Sequence, residues 1–526
     1  MLCSAQFFRR RTHLAVAASL ALTAGCAGLA PPSAPPVSSV DLTATVVSAP
    51  TAGNCLHWYN ALDSEIERSG TRDAGATQIA SFPQLRADRF AASFRDALVS
   101  RSADGTDRAQ LTALLGYLRE LDIEARMLEL ANLPGESRTA LKLPATAQLR
   151  RLLEACSGEL TREIFADSRA SIDLLATLAT RLTVPDRYVD WKRALGLYPL
   201  TSLPFLRGIN AWQRATAQRF AQSAAGNVSP AIRYVPHAGG RQDDAAIQRY
   251  AASPRNALGI SQLSARDWAS LLAQYAPVFE VETPNGTSNN ADRFGALHFT
   301  AEDTPSVDID DPVVYQRVAF TRYRGQTLTQ LVYGIWFPER PASQMIDLLA
   351  GHLDGVIIRI TLDQRGIPLL VDSIHACGCY HLFFPTPRLS PRAAPQAHME
   401  WAFIPATLPL LNAGQRLQLR LASASHYLLD IRPFDNVLRT ADIRYNLRDD
   451  NELRSLPIAG GGRKSVFGSN GIIEGTERDE RFLFWPMGIA SPGAMRQWGT
   501  HATAFVGRRH FDDADLIEQR FEIKPE

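Results

Sequence analysis

The run Val356–Leu362 (VIIRITL), the turn Asp363-Gln364-Arg365-Gly366 and the run Ile367–Ser373 (IPLLVDS) decide how the second half of this chain folds. Both runs are short, rich in branched and apolar side chains, and separated by a polar turn with glycine, the pattern of a β-hairpin. Two registers compete. Pairing Leu362 with Ile367 gathers Val356, Ile358, Ile360, Ile367, Leu369 and Val371 on one face, and continuing that ladder sets Asp354 opposite His375 and His352 opposite Cys377. Pairing Asp363 with Ile367 instead uses Gly366 as a bulge residue and turns one strand over. Hydrophobic segregation favours the first register and turn chemistry the second; the first is adopted.

The same period of two extends outward. Leu331, Tyr333, Ile335 and Phe337 alternate with Gln330, Val332, Gly334 and Trp336, and Leu417, Leu419 and Leu421 alternate with Gln418 and Arg420. Before Tyr275 the period is helical: Leu56, Tyr59, Leu62 and Ile66 recur at three and four residues, as do Leu149, Leu152 and Cys156. The expected class is α+β, with a helical domain over 54–273 followed by a β-rich domain over 274–526, an antiparallel sheet or a sandwich. The loop around Gly460-Gly461-Gly462 lacks the Gly-Lys-Ser adjacency of a phosphate loop, since Arg463 interrupts it.

The N-terminus reads as an export signal over 1–26: Arg9-Arg10-Arg11, an apolar run from Leu14 to Leu22, then small residues up to Cys26. Leu22-Thr23-Ala24-Gly25-Cys26 resembles the lipobox of bacterial lipoproteins, which implies lipid on Cys26 and, with Ala27 next, sorting to the outer membrane. Residues 27–53, rich in Pro, Ala and Ser, read as an extended tether. The expected address is therefore an outer-membrane lipoprotein facing the periplasm, with the membrane reached through the lipid anchor. The formal net charge is +1 and turns slightly acidic once the three leader arginines are removed, so nucleic acid is not an expected partner.

His375-Ala376-Cys377-Gly378-Cys379-Tyr380-His381 places four metal-capable side chains at alternate positions. A straight strand holds its outer histidines about 20 Å apart at ~3.3 Å per residue, so convergence on one zinc requires a sharp turn at Gly378 or ligands from elsewhere. Cys55 and Cys156 are expected to pair, closing a loop that the chain-entropy treatment values at up to about 4–5 kcal/mol. That leaves Cys377 and Cys379 to each other, as a strained disulfide, a free dithiol or metal ligands. His352 and Asp354 are candidate catalytic groups, and His501 and His510 are candidate remote partners of the motif.

Three stretches carry a wider likeness: Gly196-Leu197-Tyr198-Pro199-Leu200, Asp372 to His381, and Gly493-Ala494-Met495-Arg496-Gln497-Trp498 onward to His510. They resemble a group of uncharacterised proteobacterial lipoproteins, a likeness that implies the address and leaves the chemistry open. The leading expectation is an envelope protein that binds or scaffolds an envelope protein or a small molecule, with no cofactor assigned. The alternatives are a zinc-type hydrolase built on His375, Cys377, Cys379 and His381, and a cysteine hydrolase with Cys377 as nucleophile and His352 as base.

Overall fold

Helices of the first half bury the stripes that their periodicity requires, with one shift of phase. Helix α2 (Ala52–Arg68), capped by Thr51, presents Cys55, Tyr59, Leu62 and Ile66 to Leu149, Leu153 and Cys156 of α4 (Thr146–Arg162), while Leu56 faces solvent. A disulfide joins Cys55 to Cys156, with Cα atoms 5.2 Å apart. The structure is a computed structural model that describes residues 41–524 except 97, 99–107, 163, 165–168, 225–228, 238–243, 284–288, 346, 397, 412–414 and 436. The expected signal, Cys26 and the tether up to residue 40 lie outside the described residues. The end of the expected tether is instead a helix, α1 (Leu42–Ser48), held by Trp58, whose Nε1–H donates to Thr43 Oγ1 at 3.2 Å.

Sheet structure begins earlier than the period of two suggests. A small hairpin, β1 (Thr77–Ile79) and β2 (Phe82–Ala87), packs on α3 (Arg108–Ala131). The main sheet has ten strands and recruits β3 (Ala231–Pro236) from the segment expected to be helical. Its other strands are β4 (Val278–Glu282), β5 (Val313–Tyr323), β6 (Gln326–Arg340), β7 (Gly351–Leu362), β8 (Pro368–His375), β9 (Leu382–Pro385), β10 (Arg416–Leu421), β11 (Leu428–Phe434) and β12 (Ile443–Asp449). The order is β9-β8-β7-β6-β5-β12-β3-β4-β10-β11. The β5 to β9 portion is antiparallel, whereas β12 runs parallel to both β5 and β3, and β10 runs parallel to β4, so the sheet is mixed.

Both faces of the central strands are covered, for different reasons. Leu331, Tyr333, Ile335, Phe337, Val356, Ile358 and Ile360 lie under α6 (Tyr198–Ala224) and α7 (Ala265–Tyr275), which contribute Phe220, Leu271 and Tyr275. Val332, Trp336, Ile357 and Ile374 on the other face are covered by largely irregular chain carrying Leu453, Phe467, Met495 and Phe511. Contacts gather Leu42–Glu526 into one unit, and residues 273 and 274, the expected domain boundary, fall inside it.

The hairpin satisfies both competing demands in succession. At the turn, Asp363 N–H donates to Ile367 O at 2.9 Å and Gly366 takes φ +84°, so turn chemistry sets the local pairing. A register shift between Pro368 and Leu370 then moves β8 by one residue. Beyond it Val371 pairs with Ile360, Ser373 with Ile358 and His375 with Val356, which returns the apolar side chains to one face. Ile367, left at the turn, is 43% exposed.

Candidate functional site

Where β7 begins and β8 ends, the register leaves Asp354 diagonal to His375 on the face under α6. Asp354 Oδ1 lies 3.5 Å from His375 Nδ1 and Oδ2 lies 2.8 Å from Nδ1 of His426. The other nitrogen of His426 faces the Ala291 carbonyl at 3.1 Å, so both of its nitrogens point at acceptors. His426 is fully buried and stacks on Phe337 with ring centroids 3.7 Å apart. Burial works to raise the pKa of Asp354, but the two histidines overcome it and hold the carboxylate well below its ordinary range. For His375 burial dominates over the attraction of Asp354, so its pKa is lowered and the ring is neutral at neutral pH.

His375 Nε2 is buried without a hydrogen-bond partner among the described residues. The ring borders a cavity lined by Trp212, Thr216 and Arg219 of α6, with Ser373, Tyr380 and Tyr427, and the space holds about one water. Tyr380 and Tyr427 stand with ring centroids 5.0 and 5.5 Å from that of His375, and Arg340 donates to Tyr427 Oη at 3.2 Å. Nearby, burial pushes Glu480 up to about 7 against the pull of Arg340 and Arg478, with Asp354 adding to the rise. Three residues in this neighbourhood hold left-handed backbone that side chains disfavour: Leu353 at φ +51°, Tyr380 at +61° and His426 at +49°. Strain gathered on three separate segments around one buried pair is characteristic of a site whose geometry is imposed by the surrounding fold.

The rest of the motif does not converge on His375. Gly378 makes the turn, at φ +92°: its N–H donates to His375 O at 2.7 Å, and His375 N–H donates to Cys379 O at 3.0 Å. A side chain at this position would meet the Ala502 carbonyl, so glycine is required there. After the turn His381 folds onto the opposite face of the sheet, where its Nε2–H donates to Asp372 Oδ2 at 2.8 Å beside Arg359. Strand alternation explains the split, because Asp372 and His375 are three residues apart and face opposite ways.

Cys377 and Cys379 are free thiols beside a second space, lined by Glu400, Pro492, Ala502 and Phe505, so of the states open to the pair this structure holds the dithiol. Among the described residues no group of three or more His, Cys, Asp or Glu side chains could hold a metal ion, and the expected zinc set is divided over three environments. His352 is also placed elsewhere. Its Nε2 donates to the Pro305 carbonyl at 2.7 Å. Of the remote histidines, His501 reaches the motif by donating to Ala376 O at 3.1 Å, while His510 pairs with Asp186 and Asp513.

Asp354 and His375 are marked in the sequence as candidates, whereas His426, Arg340, Tyr427 and Glu480 are not. His426 sits in the loop Ala422-Ser423-Ala424-Ser425-His426, where no periodicity or motif marks it. No family model, curated protein or solved structure matches this chain.

Proposed function

We propose that this protein is an outer-membrane lipoprotein, anchored through Cys26 and facing the periplasm, whose body performs general-base chemistry at His375, most simply hydrolysis of a small polar substrate. The leader pattern supports the address, and a Cys55–Cys156 bridge is the chemistry of an exported protein. In this reading the helical residues 54–273 support the β-rich residues 274–526, which bear His375.

One observation carries the chemical part: the unpartnered Nε2 of His375, on a ring that borders a water-sized space while Asp354 sits at the other nitrogen. Asp354 keeps the ring proton on Nδ1, which leaves the Nε2 lone pair to accept a proton from water. The lowered pKa of His375 keeps that lone pair free at neutral pH. Tyr380 and Tyr427, which line the same space, are the candidates to stabilise developing negative charge. Glu480, whose carboxyl burial pushes up to about 7, is the candidate to return a proton.

The test is turnover of chromogenic esters, phosphoesters, glycosides and peptides by the leaderless protein. For whichever class reacts, His375→Gln is expected to lower kcat by about a hundredfold or more with little change in KM. Turnover that survives His375→Gln, or no turnover of any class, removes the reading.

A binding role without turnover is favoured by a different observation. Trp191 and Leu195 of α5 (Asp190–Leu195), Leu197 and Leu200 beside it, and Phe482 of α8 (Arg481–Phe484) are all exposed. The two segments are tied by Val189 N–H to Gly488 O at 2.7 Å. Lys192 and Arg481 lie over the Trp191 and Phe482 rings at 5.8 and 4.8 Å, so positive charge borders the apolar surface. That combination suits an anionic lipid surface. The leaderless protein is expected to sediment with phosphatidylglycerol vesicles, and Leu195→Asp with Leu200→Asp is expected to abolish this. Equal sedimentation of the variant, or none by the parent, discards the lipid-surface role.

A further inference from the structure

The chemistry at His375 leaves two nucleophiles of the motif unused. Cys377 is buried and Cys379 half-buried, and both are free, whereas Cys55 and Cys156 of the same chain are bridged. The turn at Gly378 explains how the two thiols come together. On a straight strand, Cα atoms two residues apart lie about 6.6–6.8 Å from each other, at the edge of what a disulfide spans. Here the chain doubles back, and the backbone N–H of Cys379 donates to Cys377 Sγ at 3.4 Å.

We infer that Cys377 and Cys379 are a redox-active dithiol, converted reversibly to a Cys377–Cys379 disulfide by exchange with a protein or low-molecular-weight disulfide, and that this conversion reshapes the turn holding His375. The second clause rests on the reading of His375 as a base; the first does not.

Loop length separates the two cysteine pairs. Cys55 and Cys156 are 101 residues apart in sequence, so bridging them removes much freedom from the unfolded chain, as in a structural disulfide. Cys377 and Cys379 enclose one residue. Closing so small a ring gains little from chain entropy and leaves the bond strained, which makes it easier to reduce. The hydrogen bond with Cys377 and burial push the Cys379 thiol well up, which favours the reduced form at rest and slows exchange.

Exposure sets the order of events. Cys379 loses its proton, and its thiolate attacks one sulfur of the incoming disulfide, forming a mixed disulfide and expelling a thiolate that takes up that proton. Cys377, deprotonated in turn, attacks the Cys379 sulfur and expels the second thiolate, which takes the second proton. Two electrons leave the dithiol, and the oxidant departs as two thiols.

Coupling to His375 follows from the hydrogen bonds of the turn. Both closing bonds use the His375 backbone, one its N–H and one its carbonyl. Arg496 Nε–H holds the Cys377 carbonyl at 3.2 Å, and Tyr380, next in sequence, is already at φ +61°. Drawing the sulfurs into bonding distance must change the torsions of residues 377 to 379, and with them the placement of the His375 and Tyr380 rings.

The leaderless protein, equilibrated in mixtures of reduced and oxidised glutathione, quenched in acid, alkylated and digested, provides the test by mass spectrometry. The peptide carrying Cys377 and Cys379 is expected to pass from two alkyl groups to a species lighter by two hydrogens, reversibly, while Cys55–Cys156 stays bridged. Cys377→Ser is expected to stop at glutathione on Cys379, and Cys379→Ser to take up none. In 15N spectra of the native protein, the His375 ring signals are expected to move in step with the bridge. Thiols that remain alkylatable in excess oxidised glutathione, or that bridge only after unfolding, overturn the dithiol. A bridge that leaves the His375 signals in place overturns the coupling. These readouts need no turnover, so loss of the catalytic reading leaves the dithiol result intact.

Discussion

Lowering the pH from 7 to 5 is expected to remove about 4 kcal/mol of folding stability, through two histidines that the fold keeps neutral. His381 and His501 are buried to within 1% or less of side-chain and residue exposure respectively, and burial lowers both pKa values from 6.5 to about 3. Each donates through Nε2, to Asp372 and to the Ala376 carbonyl, and each leaves a buried Nδ1 with no partner among the described residues. A second proton would therefore sit on a nitrogen with nothing to receive its hydrogen. The folded pKa lies below the unfolded one, which fixes the sign. Above about pH 7.5 neither state binds the proton and the two histidines contribute no pH dependence. Below that, down to about 3, the unfolded chain takes up protons that the fold refuses, and the fall in stability steepens through pH 6.5 toward about 1.4 kcal/mol per pH unit for each ring. His375, shifted the same way, adds to the loss, and Asp354 and Asp372 join only below the ordinary carboxylate range near 4. Since a domain has about 5–15 kcal/mol in total, much of the margin is gone by pH 5. Urea midpoints at pH 7, 6 and 5 measure it, and His501→Gln, which can still donate to Ala376, is expected to roughly halve the slope. A midpoint that does not move between pH 7 and 5 would mean that these rings are already charged in the fold.

The sequence revealed what burial imposes locally and concealed what the folded chain assembles over distance. Leu331, Tyr333, Ile335 and Phe337 could be read because a sheet face repeats every second residue, and all four are buried together. The covering of the other face could not, because Phe467, Met495 and Phe511 come from chain with little regular structure. Strand β3 was hidden by its length, six residues set between helices, and by parallel pairing to β12 more than 200 residues later. The hairpin register resisted reading because turn and face preferences conflict by one residue, a conflict resolved by a shift that no residue between Pro368 and Leu370 announces. Asp354 and His375 were legible as a pair because they flank one hairpin. His426 and Glu480 join them from 72 and 126 residues beyond Asp354, and such convergence leaves no local trace.

Asp122→Ala is expected to cost about 3–5 kcal/mol, because it removes one partner from a fully buried ionic network. Asp122 accepts Arg86 Nε–H at 3.1 Å and Arg126 Nε–H at 3.1 Å, and all three side chains are 0% exposed. Arg86 also holds Glu129 through two bonds of 2.8 and 2.7 Å, and Arg126 reaches Asp63 on α2 at 2.9 Å. Taking Asp122 away leaves two guanidinium groups in a dry interior sharing fewer carboxylates, and water cannot replace the lost one without opening the packing of α3 on β2. The network also ties residues before position 273 to residues well beyond it. Glu129 accepts Asp73 N–H at 2.8 Å, and the Asp73 carboxylate takes two bonds from Arg454, each of 2.9 Å, and one from Gln497 at 2.7 Å. Loss of Asp122 should therefore weaken attachment of the last third of the chain as well as the helices. Glu154→Ala, which breaks an exposed pair with Arg150, is the control and is expected to cost no more than about 0.5 kcal/mol. Urea unfolding, followed by far-ultraviolet circular dichroism and by tryptophan fluorescence, measures both variants. For Asp122→Ala the two signals should shift together by the full amount; a shift no larger than that of Glu154→Ala would mean that the buried arginines find other partners at no cost.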